Sequence, residues 1–452
     1  MNLRRWLQPG MGVKRWLLVV FGGELLLALA LAFLLRQLYR DVEVTGPFGA
    51  LVYLVTLQFL PYVARGVILG GIGAVMFVFG SYRLIRLLTD PFRAAAGDQP
   101  FVELIYQKRF LARGPRIVTI GGGTGLSTLL RGLKEHTSNL SAVVTVADDG
   151  GSSGVLREAL GVPPVGDIRN CIVALADAEP LMGRLLQYRF PGETADGAAD
   201  RGSGPEGTDR LSGHAVGNLL IAALTAIENG DFEEGVRQMN RVLAVRGRVL
   251  PVSPTPVTLH ARLGDGSLVV GQSAIQRRSG IDEVWIAPAA VRASAEAIEA
   301  IEAADAIVIG PGSLFTSILP ALLVPGIRQA VLASPAVRIY VANVATQVGE
   351  TSGFDLARHV EVLERHTAPG ICDVVVADNA ASKAAPPAGW RAEPVRLRWP
   401  PESERVPRLV LDDIVDHGNA HHHDPDRLAA ALVRIVDRET GRRRGSGVAR
   451  TA

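Results

Sequence analysis

The hydrophobic pattern divides the chain into two regimes. Residues 16–35 are apolar apart from Glu24, close to the ~20 residues that a spanning helix needs. A second apolar zone covers residues 47–82 and is interrupted by Pro61 and Arg65. From Arg116 the pattern changes to short β-branched runs that alternate with helical periodicity. Residues 117–120 read as a buried strand. Leu126, Leu129, Leu130 and Leu133 then recur at i, i+3, i+4 and i+7, which is one face of a helix. Further strands are predicted at 142–146, 306–309, 339–342 and 373–377, and an apolar helix at 219–227. Strands alternating with helices predict an α/β fold with a doubly wound, mostly parallel sheet.

Charge gives the first regime an orientation. Arg4, Arg5, Lys14 and Arg15 precede the first apolar run, and Arg83, Arg86, Arg93, Lys108, Arg109 and Arg113 follow the second. Positive flanks on the cytoplasmic side require an even number of spans. We therefore read a transmembrane helical hairpin with spans at about 16–35 and 66–87, and residues 48–64 as an outer-face or interfacial segment. A signal peptide fits less well, because the apolar core is long and no small-residue cleavage site follows. A three-span anchor would put the bulk of the chain outside. The expected layout is a membrane anchor at 1–92, a linker at 93–114, a nucleotide-binding domain at 115–437 with a disordered insertion at 191–210, and a basic tail at 438–452.

The 452 residues carry a formal net charge of +2, which argues against a general nucleic-acid binder. Two cysteines, Cys171 and Cys372, exclude a disulfide scaffold and a multi-cysteine zinc site.

Candidate chemistry gathers in loops that follow predicted strands. Gly121-Gly122-Gly123-Thr124-Gly125 stands between a strand and a helix, where glycines let backbone approach a ligand and the helix N-terminus favours an anion. The spacing completes neither a dinucleotide fingerprint nor a P-loop; the alternative is a structural tight turn. Asp148-Asp149-Gly150-Gly151-Ser152-Ser153-Gly154 ends the second strand. There Asp148 or Asp149 could hold a hydroxyl, a base edge or Mg²⁺, and Ser152 and Ser153 a phosphate. Gly166-Asp167-Ile168-Arg169-Asn170 offers an acid, a guanidinium and an amide, or simply an internal Asp–Arg pair. In Ser212-Gly213-His214-Ala215-Val216-Gly217-Asn218, His214 and Asn218 are four apart and would share a helix face, with Ser212 as candidate N-cap. Gly310-Pro311-Gly312-Ser313 repeats the strand–glycine–helix logic, and Asn343, Thr346 and Glu350 follow the next strand. Arg246 and Arg248 are phosphate partners or surface charges.

These motifs resemble the YvcK family of gluconeogenesis factors, in the CofD-like superfamily. The resemblance is carried by residues 121–125, 146–154, 166–170, 213–218, 310–317 and Thr346-Gln347-Val348-Gly349-Glu350-Thr351, in the same order. It implies a Rossmann-like, CofD-like fold. It also implies a protein that binds a UDP-sugar, with UDP-N-acetylglucosamine the expected ligand, and that regulates cell shape and envelope synthesis. No catalytic residue is assigned by it. The glycine loop, Asp148, Asp149, Asp167, Asn170, Asn218 and the loop at 310–313 match the superfamily's ligand-facing motifs. The chain departs from the commoner soluble members in its hairpin and in the length of its insertion. It also carries His421-His422-His423 before Asp424-Pro425, which we read as a helix start with Asp424 as N-cap.

The expected location is the cell membrane, with the large domain cytoplasmic. Homo-oligomers and envelope-synthesis proteins remain open partner classes. The main alternative is a CofD-like 2-phospho-L-lactate transferase acting on a nucleotide-linked substrate. An NAD-dependent oxidoreductase is disfavoured by the incomplete glycine fingerprint.

Overall fold

The computed structural model describes residues 110–441 except 177–179, 192–210, 380–391 and 402–405, together with scattered positions before 110. The chain forms two compact units, Met1–Arg109 and Phe110–Ala452. The expected spans at 16–35 and 66–87, the insertion at 191–210 and the expected tail at 438–452 lie mostly outside the described residues, while Arg438 and Glu439 of that tail end the last helix. Among the described residues no single helix is long and apolar enough to cross a membrane.

The second unit is built on a seven-stranded sheet. Its strands are β1 (Ile117–Gly121), β2 (Leu140–Val144), β3 (Arg248–Pro251), β7 (Ala306–Ile309), β8 (Val337–Val341), β9 (Val374–Asp378) and β10 (Arg408–Asp412). Their spatial order is β10-β9-β8-β7-β1-β2-β3, and every pairing is parallel. β1, β2 and β7 are buried along their whole length, as apolar strands covered by helices on both faces must be. The sequence places all five predicted strands and lacks β3 and β10, which are the sheet edges. Pro251 ends β3, a place where a missing N–H costs no ladder bond on the open side.

Helices cover this sheet: α1 (Gly123–Leu133), α2 (Gly151–Leu160), α3 (Gly166–Leu175), α4 (Pro180–Gln187), α5 (Val216–Ile227) and α6 (Phe232–Val242). A three-stranded antiparallel sheet follows, β5-β4-β6, from β4 (Thr258–Leu263), β5 (Leu268–Val270) and β6 (Ile281–Ala287). It carries a one-turn helix, α7 (Gln272–Ile275). The remaining helices are α8 (Ala295–Glu302), α9 (Leu319–Leu322), α10 (Pro325–Ala333), α11 (Leu356–His366) and α12 (Pro425–Glu439), and a hairpin of β11 (Val415–Asp416) and β12 (Asn419–His423) precedes α12.

The predicted leucine stripe of α1 is fully buried. Its other side meets α12: a Cβ on Gly132 would sit 1.9 Å from the Pro425 carbonyl oxygen, so no larger residue fits that crossing. Asp424 caps α12, accepting from the N–H groups of Asp426 and Arg427, as its position before Pro425 predicts. Both cysteines are buried free thiols.

The chain runs from β1 outward to β2 and β3, then returns to the other side of β1 as β7. This reversal opens a crevice beyond the C-terminal ends of β1 and β7, the place where open α/β sheets hold ligands.

Candidate functional site

The two loops at the switch point are both glycine-rich. After β1, Gly122 is extended and Gly123 takes φ +71°, which opens α1 toward the crevice. After β7, Gly310 takes φ +78°. The loops pack so closely that a Cβ on Gly125 would lie 2.8 Å from the Pro311 carbonyl oxygen. Gly125 thus serves backbone packing, while Gly123 faces space: the nearest atom to its Cβ position is Ser317 Oγ at 3.4 Å.

The resulting cleft has a volume of about 560 Å³, within the range of small-molecule sites. Gly122, Gly123, Thr124, Gly125, Asp148, Asp167, Gly312, Ser313, Asn343 and Thr346 line it, all of them singled out from the sequence. Asn343 Nδ2 donates to the Gly312 carbonyl, and Gln347 Nε2 donates to Ser313 Oγ at 2.6 Å, so the second loop is held by amides from the segment after β8.

The two cleft carboxylates differ in setting. Asp148 Oδ1 accepts from the Gly150 N–H at 3.0 Å, which fixes its turn. Asp167 opens α3 and faces Gly122, whose Cβ would lie 2.4 Å from Asp167 Oδ2. Burial, and then the charge of Asp148, push the Asp167 carboxyl up to about 6; the Gly123 N–H and Arg169 pull it part of the way back. A buried carboxylate beside a second carboxylate suits a cation held between them. Mg²⁺ fits this donor set, since it is commonly held by one or two carboxylates with ligand phosphates and water. Among the described residues no group of three or more His, Cys, Asp or Glu converges on a metal position, so the protein would supply Asp148 and Asp167 only.

The other expected site residues stand behind the cleft. Asp149 accepts from the Ser273 N–H at 2.8 Å and so ties α7 to the main sheet. Ser153 Oγ accepts from the Gly166 N–H, which latches α2 to α3. Arg169 is buried and donates to Asn218 Oδ1 and Asn170 Oδ1. Asn218 donates to Ser152 Oγ, and Ser152 meets His214 Nδ1 at 3.0 Å. Arg169 is therefore a brace between α3 and α5, with its fork occupied by amides.

His214 precedes α5, whose N-cap is Ala215. Its link to Asn218 runs through Ser152 and not along a helix face, and Ser212 caps nothing: its hydroxyl donates to the Pro191 carbonyl. Glu350 is buried behind the second loop and accepts from Thr316 Oγ1 at 2.7 Å. Burial pushes its carboxyl up to about 7, against the bonds from Thr316 and Phe315. Gly310 shapes the loop without lining the cleft. Arg248 pairs with Ser141 and Arg246 with Glu135, near the start of β2 and β3 and thus on the opposite edge, so both belong to the surface-charge reading.

Other lining residues escape the sequence reading. Thr128 lies one turn into α1. Gln272, Ser273 and Gln276 come from α7 and its C-cap, carried over the crevice by the antiparallel sheet. His421, His422 and His423 come from β12. His423 is buried, its ring pushed down to about 4 by that burial, and its Nε2 donates to the Ala342 carbonyl. The helix start at Asp424 stands as predicted, and the histidines before it form a strand that walls the cleft. The triple-histidine run and the Gly271-Gln272-Ser273 turn are the local signals for these two walls.

The chain is similar in sequence and in fold to known proteins. The family profile for 2-phospho-L-lactate transferase CofD matches residues 117–397. A gluconeogenesis factor relative from Nostoc sp. is 41% identical over 95% of this chain and 92% of its own length, so the likeness extends into the first 109 residues. The gluconeogenesis factor of Bacillus subtilis is 42% identical over 72% of this chain and 99% of its own. A crystal structure of a Bacillus halodurans protein superposes with a TM-score of 0.62 at 40% identity, covering 71% of this chain and 99% of that one. With its Rossmann-like sheet, paired glycine loops and extended identity to these relatives, the chain belongs to the gluconeogenesis factor (YvcK) family of CofD-like proteins.

Proposed function

We propose that this chain binds a UDP-sugar, UDP-N-acetylglucosamine in the first instance, and acts as a membrane-anchored regulator of cell shape and envelope synthesis. The observation that carries the binding part is the cleft between the β1 and β7 loops. Two glycine loops leading into helices offer N–H groups for a diphosphate. Asp148 and Asp167 offer a seat for Mg²⁺, and the amides of Gln272, Gln276, Asn343 and Gln347 surround the rest. Such amides suit the alternating donors and acceptors of a base or a sugar.

The sensing part is supported by the lining itself. Ser313, whose hydroxyl accepts from Gln347, is paired with no base among the described residues, so it is not an activated nucleophile of the usual kind. The anchoring part is supported by the first unit. Its described positions Leu54, Val67 and Phe79 are helical and exposed, which suits lipid contact better than water.

Calorimetry of the full-length protein with UDP-N-acetylglucosamine, with and without Mg²⁺, tests this reading, with mass spectrometry of the recovered ligand. Binding with intact ligand is expected; absence of binding in either condition overturns it. The second reading, a CofD-like transferase of a phosphate-linked group, is favoured by the family profile over residues 117–397. It requires Mg²⁺-dependent product from nucleotide-linked phospholactate and a deazaflavin precursor.

A further inference from the structure

The motif Thr346-Gln347-Val348-Gly349-Glu350-Thr351 lines the cleft only through Thr346 and Gln347. Its acid stands behind the second glycine loop, where Glu350 is 2% exposed and touches no ligand space. The loop continues there into a π-helical turn, Leu314–Ile318, in which the Ser317 and Ile318 N–H groups both donate to the Ser313 carbonyl. Such widened turns are uncommon and gather at functional sites. Thr316 is the node of this turn. Its hydroxyl donates to Glu350 Oε1 at 2.7 Å, and its carbonyl accepts from Gln272 Nε2 at 3.3 Å. One hydrogen-bonded path thus runs from the buried carboxyl to the α7 wall of the cleft. A second path reaches the cleft floor: Gln347, three residues before Glu350, donates to Ser313 Oγ, three residues before Thr316. Thr351 closes the turn that carries both, its N–H donating to the Gln347 carbonyl and its hydroxyl accepting from the Gln347 N–H. Gly349, at φ +96°, lets that turn close on α7: a Cβ there would lie 3.0 Å from the Gln276 carbonyl oxygen.

We propose, resting on the UDP-sugar reading above, that Glu350 is a positioning residue for that ligand: it sets the π-helical turn so that Ser313, Gln347 and Gln272 meet the ligand in one fixed arrangement. The cost borne by the turn supports this. Glu350 Oε2 is buried with no hydrogen-bond partner, and so is Gln347 Oε1. Unpaired buried acceptors are costly and rare, and two on one turn mark a segment shaped for the cleft it supports. A proton on Glu350 supplies the donor that this turn lacks.

The carboxyl also changes charge near neutrality, because burial pushes it up to about 7. The π-helical turn brings no charged residue against it. On α11, Asp355 caps the helix, while His359 and His366 meet the Phe354 and Phe315 rings edge-on; burial pushes both imidazoles down, so they are neutral where Glu350 titrates. Arg277 and Arg278, just after α7, approach Gly349 through their backbone and keep their side chains exposed. Ligand phosphates disfavour an ionised Glu350. The bound state therefore keeps the proton to higher pH than the free state, and affinity falls as pH rises above about 7.

The test uses the full-length protein in nanodiscs and UDP-N-acetylglucosamine, whose diphosphate diester does not titrate near neutrality. By calorimetry the wild-type Kd should rise about tenfold between pH 6.5 and 8.5, the effect of a difference of about one unit between the free and bound pKa. Glu350→Ala should raise Kd about tenfold already at pH 6.5, the scale of one lost hydrogen bond. Glu350→Gln keeps an acceptor for Thr316 and cannot ionise, so it should rescue most of that loss and remove the rise between pH 6.5 and 8.5. Hydrogen–deuterium exchange of the ligand-free chains needs no ligand: Glu350→Ala should loosen residues 312–318 and 272–276 and leave 123–128 unchanged, and Glu350→Gln should loosen none of them. A wild type that does not bind UDP-N-acetylglucosamine removes the nucleotide-sugar reading, and the exchange pattern then decides the positioning role by itself. A Glu350→Gln variant that keeps the wild-type pH profile overturns the proposal. So does a Glu350→Ala variant with wild-type affinity and exchange, or one that loosens all three segments equally, which would make Glu350 a residue of the fold alone.

Discussion

Gly123 and Asp167 show how single residues trade stability for a site. At φ +71° a side chain on residue 123 is strained by about 1–2 kcal/mol, yet its Cβ meets only Ser317 Oγ at 3.4 Å. Gly123→Val should therefore fold with slightly lower stability while filling the space next to the α1 N-terminus. Calorimetry should find UDP-sugar affinity lowered at least tenfold, and unchanged affinity in a folded variant would remove the loop from the site. Asp167 pays in a different way. Its folded pKa of about 6 lies above the ordinary 3.8, so between those values the folded state keeps a proton that the unfolded chain has released. Stability from this group is thus highest near pH 4, falls as pH rises toward 6, and stays low above it. Asp167→Asn removes the penalty. Its melting temperature should exceed that of the wild type at pH 7.5, by up to about 3 kcal/mol in stability, and converge with it near pH 4, while ligand affinity drops. A variant that is less stable than wild type at pH 7.5 would contradict the buried, repelled carboxylate.

At the scale of elements, neighbouring aspartates in one loop separate into different tasks. Asp148 lines the cleft, whereas Asp149 holds α7 by accepting from the Ser273 N–H. For Asp149 the acceptor matters more than the charge. Asp149→Asn should keep most of the affinity, and Asp149→Ala should release α7 and raise Kd about tenfold, the scale of one lost hydrogen bond of about 1.4 kcal/mol. Asp148→Asn should lose affinity outright, along with any Mg²⁺ dependence. Equal effects of Asn at both positions would refute the division. The sequence motif marks both aspartates alike, because a strand-end string specifies an edge of the sheet and not the direction of each side chain. The same limit explains Arg169, Asn218 and His214. Their residue types suggest ligand contact, but the bonds among Arg169, Asn218, His214 and Ser152 join residues distant in sequence, and only packing shows that they brace α2, α3 and α5. Strands buried on both faces were legible from unbroken apolar runs, as in Ile117–Gly121. Edge strands such as Arg408–Asp412 were not, since half their side chains meet solvent and the runs break up. The walls from α7 and β12 carry local signals, the Gly271 turn and the histidine run, but antiparallel hairpins bring them to the cleft, and no local period reveals that placement.

For the whole molecule, the point at which the chain can be cut follows from where the second unit begins. Leu111 is buried, and its carbonyl accepts from the N–H groups of Gly114 and Ser138 and from Thr137 Oγ1. Among the described residues, those that line the cleft all belong to the second unit. A chain starting at residue 93 should therefore be soluble, fold and bind its ligand as the full-length protein does. One starting at residue 115 loses the Leu111 contacts, and with them about 2 kcal/mol of apolar burial and the acceptor that holds the 137–138 turn. It should melt at a clearly lower temperature. If the longer fragment also fails to bind, the first unit belongs to the site after all. The full-length protein should partition with membranes and keep its large unit on the cytoplasmic side, where nucleotide sugars are made. The arginines at 83, 86 and 93 are the physical basis for that orientation. Protease added to intact cells should spare the large unit, and protease added to inverted vesicles should digest it. The reverse pattern would require an odd number of spans and would place the cleft away from the nucleotide pool, and the proposed regulatory role would fall with it.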